Sequence, residues 1–263
     1  VGQRVLNTGS RASWSNDAKT LTLGATAIHD ESDSARTDMA GVDLRFTPNA
    51  STEVRAEFAG SDSSARGTAS NGASGTATAW LIEAEHHGKK LDLLAYAREQ
   101  EAGYGVGQTN ASEGGTRKFG LDGRIRITPD LSITGSAWNE DYLGSAAQRS
   151  AGRALAEYRT HGLDLRAGLT IASDRLDDGR SASSTVVQLG ATKRLLDNKL
   201  ELDAQTELPV AGKNESIDFP ARHKFSARYA VTDNVTLVGG YEIANGDVIN
   251  ARTARIGFDL KPW

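Results

Sequence analysis

Adjacent imidazoles at His86 and His87, in the stretch HHGKK (86–90), are the first residues here that could hold a metal ion or move a proton. Zinc takes three or four ligands, and no third imidazole or acidic ligand accompanies the pair in so tight a turn. Two solvated polar residues are the simpler reading. Asp174, Asp177 and Asp178 beside Gly179, and Asp30, Glu31 and Asp33, offer the oxygen ligands that calcium takes, but neither stretch has EF-hand spacing. The alternating glycines of GYGVG (103–107) lack the helix that a phosphate cradle needs. The chain has no cysteine, which removes thiolate nucleophiles, thiolate metal sites and disulfides together. Asp141, Ser150 and His161 are the residue types of a hydrolase built at a rim, yet His161 falls in a short turn, at the wrong end of the strands. The expectation is a chain with no catalytic residues, no metal, no cofactor and no enzymatic activity.

The charged residues of the alternating runs say more. In KFGLDGRIRI (118–127), Phe119, Leu121, Gly123, Ile125 and Ile127 fall on one side, and Lys118, Gly120, Asp122, Arg124 and Arg126 on the other. That is the period of a strand with two unlike faces. LDLRAGLTI (163–171) sets Leu163, Leu165, Ala167, Leu169 and Ile171 against Asp164, Arg166 and Thr170, while Phe225, Ala227, Tyr229 and Val231 oppose Lys224 and Arg228. Continued along the chain, the alternation gathers Arg45, Arg55, Glu57, Arg98, Asp122, Arg124, Arg126, Asp164, Arg166, Glu201, Asp203, Arg228, Glu242, Arg255 and Asp259 opposite the greasy residues. Such a face can line a water-filled passage whose charges set selectivity. It can equally close on itself as ladders of ion pairs.

Hairpins must position these residues. GVDLRFTPNASTEV (41–54) and GLDGRIRITPDLSI (120–133) spell one unit twice, and GATKRLLDNKLEL (190–202) and SARYAVTDNVTL (226–237) repeat the plan. Short turns at 16–18, 47–50, 86–90, 128–131, 159–162, 195–199 and 231–234 supply the Pro, Gly, Asn and Asp that reversals need. Longer polar segments at 30–37, 60–75, 100–115, 139–150, 173–183, 208–220 and 243–250 alternate with them. In a sheet that runs up and down, every second connection lies at the same end. One rim is therefore trimmed and the other elaborated, over about fifteen strands.

Composition narrows the setting. No apolar run approaches the roughly 18 residues of a membrane helix. A net charge of −4, with 30 basic and 34 acidic residues spread along the chain, gives no basic stripe, and nucleic acid is not an expected partner. The opening VGQRVLNTGS has neither an initiator Met nor a leader pattern, and reads as mature or as a piece of something longer. If the apolar face were a core, so many strands would need two sheets or a second domain. If it met lipid, the charged face would fill the lumen of a barrel.

On these strands, turns and loops, over essentially the whole chain, the sequence resembles the Gram-negative outer-membrane β-barrels of the porin-like up-and-down type. It also looks like the hairpin-repeat barrel regions of large proteobacterial surface proteins, whose strands end in a TP or KPW turn, as ARIGFDLKPW (254–263) does. The resemblance implies one all-β, antiparallel transmembrane barrel over 1–263, of about 14–16 strands. Short turns would face the periplasm and long loops the exterior, in the bacterial outer membrane. The interior would be polar and hold no cofactor. Implied partners are outer-membrane lipids, lipopolysaccharide and the barrel-assembly machinery. Trp14, Phe46, Tyr229 and Trp263 lie beside short turns, where a membrane-interface girdle belongs. One departure concerns the end: Asp259 and Lys261 alternate with Trp263 where apolar residues are expected, and Pro262 matches Pro48 and Pro129 of the two quoted turns. The expectation is a chain that stops at a turn, with closing strands or further domains supplied elsewhere in the same polypeptide.

Three roles remain open: a charged-lumen pore for passive diffusion of small polar solutes or ions, an anchoring barrel of a larger surface protein with a salt-bridged closed lumen, and a soluble β-repeat adhesin. The adhesin alone requires the apolar face to be a core.

Overall fold

The computed structural model describes residues 6–31, 35–65, 75–105, 114–212, 220–246 and 250–261. Among them are fifteen strands and no helix: β1 (Asn7–Ser15), β2 (Leu21–Glu31), β3 (Ala35–Asn49), β4 (Thr52–Ala65), β5 (Gly75–His87), β6 (Leu91–Gln100), β7 (Thr116–Arg126), β8 (Leu131–Tyr142), β9 (Gln148–Thr160), β10 (Leu163–Arg175), β11 (Ser181–Leu195), β12 (Leu200–Gly212), β13 (Ala221–Thr232), β14 (Val235–Asn245) and β15 (Asn250–Leu260). Each neighbours the strands next to it in sequence, so the chain runs up and down through one sheet whose edges are β1 and β15.

Two compact units divide this sheet. The first comprises Val1–Asp122, Trp138–Gln148 and Leu176–Gly179, and the second Gly123–Ala137, Arg149–Arg175 and Arg180–Trp263. Within the first, antiparallel pairing of β1 to β6 aligns Trp14, Leu23, Leu44, Ala56 and Ile82 in one row of the apolar face. The adjoining row on the other face brings Ser13, Gly24, Asp43, Glu57, Leu81 and Arg98 together. Within the second, β10 to β15 align Asp164, Thr192, Asp203, Ser226, Gly240 and Arg255 on the charged face. Leu165, Ala191, Ala204, Phe225, Tyr241 and Ala254 form the adjoining apolar row. Pleating alone produces this segregation, because successive side chains in a strand point to opposite sides.

Neither unit stacks a second layer on its apolar face. No large side chain is fully buried among the described residues, and Phe58, Ile82, Leu189 and Phe225 are 51–52% exposed. The buried apolar residues are small, namely Ala77, Ala172, Val186 and Ala244. A soluble domain of this length encloses a core of large side chains; this one turns them outward along both units. The exposure is not scattered, since it follows the alternation strand after strand.

Turn chemistry follows the repeated spelling. Thr128 Oγ1 accepts from the Leu131 N–H at 2.9 Å and Thr232 Oγ1 from the Val235 N–H at 3.1 Å, so TPDL and VTDN close by the same side-chain turn. Asn49 Oδ1 does the equivalent for Ser51 at 2.9 Å in TPNA. Pro48 and Pro209 lie inside strands but beside irregularities: Pro48 falls in the register shift between Phe46 and Asn49, and Pro209 pairs with Val186 next to the shift at Thr185. The turn of LLDNK is strained: Leu196, Asp197 and Asn198 all have positive φ, at 55°, 57° and 66°.

The polar segments are shorter as loops than their composition implies. Asp30, Glu31 and Ala35–Thr37 belong to β2 and β3, which leaves only 32–34 between them. Likewise β8 runs to Tyr142, β10 to Arg175 and β12 to Gly212. Where both faces of a strand are polar the alternation vanishes from the sequence, yet backbone pairing continues. The alternation of connection lengths is correspondingly weaker, with the clearest long connection lying between β6 and β7.

Candidate functional site

The charged face is held together by arginines that reach past their immediate neighbours. Arg11 on β1 donates to both carboxylate oxygens of Asp43 on β3 at 2.8 Å, arching over Gly24 of β2. A Cβ at Gly24 would collide with the Asp43 carboxylate and the Arg11 guanidinium, so the missing side chain makes the clamp possible. The same device recurs in the second unit. Arg166 on β10 spans β11 to Asp203 on β12, passing Gly190 and donating on the way to Thr192 Oγ1 at 3.1 Å, while Thr192 donates to Asp203 at 2.6 Å. Arg153 on β9 reaches Gln188 on β11 at 3.1 Å across Gly168.

The residues gathered by alternation divide as follows. Arg45 and Arg55 stand directly opposite one another, and Glu53 relieves that like-charge pair by binding Arg45 at 2.7 Å and Arg55 at 3.3 Å. Arg55 also approaches Glu83 at 3.4 Å. Asp164 binds Arg194 at 2.8 Å, which holds Glu201 at 3.2 Å, and Arg228 binds Asp259 at 2.6 Å. Glu242 and Arg255 occupy the same face, Glu242 opposite Lys224 and Arg255 opposite Gly240. On β7 the phase is fixed by Tyr96, whose ring lies where a Gly120 side chain would stand; this puts Asp122 on the charged face, and Arg124 and Arg126 follow by alternation. Arg11, Glu53 and Arg194 were not gathered by the sequence reading. Arg11 sits in NTGSRASWS, where every other residue but Trp14 is small or polar and the alternation is faint.

A second feature lay outside what alternation can reveal. The segment 101–105 after β6 folds back across the charged face of β3 and β4. There Tyr104 Oη meets Met39 Sδ at 3.4 Å and the Gly105 N–H donates to Ser61 Oγ at 3.2 Å. Gly103 and Gly105 take φ of 86° and 120°, values that suit glycine, and so let the segment turn inward. Burial, with the charge of Glu57 adding to it, pushes the Tyr104 phenol above its usual range. Lys118 lies 4.5 Å over the ring of Trp138, adding another aromatic contact in the same unit.

Of the girdle residues, Trp14, Phe46 and Tyr229 lie on the apolar face beside short turns, exposed and level with Leu23, Leu21 and Leu237. Trp263 lies outside the described residues, as does Pro262. The histidines are not where the turn reading puts them. His86 and His87 end β5, so they point to opposite faces; His86 Nδ1 pairs with Thr52 Oγ1 at 3.0 Å and His87 Nε2 with Glu85 at 2.8 Å. Consecutive strand residues cannot share one metal ion. Asp174 is taken by Arg149 at 3.1 Å, and Asp141 by Gln148 at 2.8 Å. Ser150 is the third residue of β9 and His161 follows its last, nearly a strand's length away, so that pair does not converge.

No family model and no curated protein matches the sequence. Among solved structures, the chain is similar to Salmonella typhi OmpF in a complex with daunomycin, at 10% identity and a TM-score of 0.50, over 97% of this chain and 95% of that one. It is also similar to a Rhodopseudomonas blastica porin variant, at 12% identity and a TM-score of 0.44, over 97% and 96%. With fifteen antiparallel strands in chain order, the chain has the porin-like, all-β, up-and-down fold of outer-membrane barrels.

Proposed function

We propose that this chain is a single outer-membrane barrel whose charged face lines a water-filled passage for small polar solutes or ions. The observation that carries the proposal is the exposed apolar face that each unit presents opposite its charged one. Burying such a face in lipid removes it from water, at roughly 25 cal/mol per Å², and leaves the arginines and carboxylates on the wet side. In this reading the short turns face the periplasm, and lipids and lipopolysaccharide cover the apolar face. The barrel-assembly machinery would insert the chain, and no enzymatic role is assigned. A soluble adhesin fits poorly, since it needs the apolar face packed as a core. The outer edge of β15 also bears on membrane placement. Ile256 is 95% exposed, and in hydrocarbon the backbone groups of that edge require a partner strand.

A second reading draws on the ion pairs. Clamps such as Arg11 to Asp43 and Arg166 to Asp203 would also suit a closed lumen in an anchoring barrel. Single-channel recording of the detergent-extracted protein in planar bilayers separates the two. Stable, salt-dependent conductance steps are expected of the pore; a protein that inserts and stays silent overturns it in favour of the anchor. A protein that stays soluble without detergent overturns both.

A further inference from the structure

The recess beneath Tyr104 has the make-up of a ligand site. It encloses about 250 Å³ and is lined by Glu57, Leu81, Glu83, Arg98, Tyr104 and Thr116, all within the first unit. The opposing charges are unequally committed: Glu83 approaches Arg55 at 3.4 Å and Arg98 has an interaction of its own, whereas Glu57 acts on Arg11 and Tyr104 through its charge and is bridged to neither. Beside it, Leu81 stands directly opposite Glu57 across the β4–β5 ladder and supplies an apolar floor. Tyr104 closes the recess from the loop side, held by its contact with Met39.

From this geometry we propose that the recess binds a small solute carrying a primary ammonium group on a short aliphatic body. The ammonium donates to Glu57, the carbon chain lies on Leu81, and the Tyr104 ring caps it. A carboxylate-bearing solute of the same size would meet Glu57 and Glu83 with only Arg98, which has an interaction of its own, to offset them. The proposal rests on the charged face being open to solvent, and it deepens the pore reading by naming a solute class that would be delayed in passage.

The test is calorimetric titration of the detergent-solubilised chain with n-butylammonium, with butanoate as the opposite-charge probe, and with conductance recorded separately. Saturable binding of n-butylammonium but not butanoate is expected, weakened at least tenfold in Glu57→Gln. A Glu207→Gln control on β12 should bind within twofold of the parent. Leu81→Trp, which fills the recess while leaving Glu57 in place, should abolish binding and guards against a Glu57 variant that does not fold. Equal affinity in Glu57→Gln, preference for butanoate, or no saturable binding by a folded, conducting protein overturns the site and leaves the pore reading standing. Saturable binding by a protein that never conducts supports the site and overturns the pore.

Discussion

Replacing Gly120 by Ala should destabilise the protein only while Tyr96 is present. The ring of Tyr96, on the charged face of β6, occupies the space over Gly120 on β7, and its Cζ, Oη and Cε1 are the three atoms nearest to where a Cβ would stand. The nearest ring atom must retreat by about 1.4 Å to regain ordinary contact near 3.5 Å. Overpacking of this kind costs about 1–3 kcal/mol. Against it stands the stiffening of the unfolded chain, since glycine inside a strand is worse than alanine by roughly 0.5–1 kcal/mol. Gly120→Ala alone should therefore lower stability by about 1 kcal/mol. In a Tyr96→Ala background the clash disappears and the same change should raise stability by roughly 0.5–1 kcal/mol. The coupling energy is then about 2 kcal/mol, well above the few tenths that separate independent sites. Urea unfolding in lipid vesicles of the four proteins, followed by gel mobility and tryptophan emission, measures it. If Gly120→Ala costs the same in both backgrounds within about 0.5 kcal/mol, the ring does not rest on that glycine and the reasoning fails.

Three further outcomes are expected. Leu196→Gly should raise the urea midpoint, because the left-handed backbone at φ 55° costs a branched residue about 1–2 kcal/mol that glycine escapes; an unchanged or lower midpoint would show that the turn is not strained there. Asp203→Asn removes the charge that gathers the partly exposed Arg166 and the buried Thr192, and should cost about 1–2 kcal/mol in the same assay. The paired replacement of Arg124 and Arg126 by Glu should move bilayer reversal potentials toward cation selectivity, and a conducting variant with unchanged selectivity would remove β7 from the passage.

Which residues share a face is legible from the residues alone, since pleating sends alternate side chains to opposite sides without reference to any partner strand. That is why Asp164, Arg166, Arg228 and Asp259 fall together in the structure where the alternation had gathered them. Turn chemistry was equally local, with Thr128 and Thr232 closing their own reversals. Strand ends were not legible in polar stretches such as 30–37, because ladder hydrogen bonds join backbones and continue where the side chains on both faces are polar. Who binds whom depends on the pairing of several strands. Arg11 finds Asp43 two strands away because pairing brings Gly24 between them and leaves the gap a guanidinium can cross. The fold-back of 101–105 onto Met39 and Ser61 has no periodic signature either, since it depends on contacts with residues more than forty positions distant. Faces are a property of one strand; bridges and lids are properties of several, and register is what assembles them.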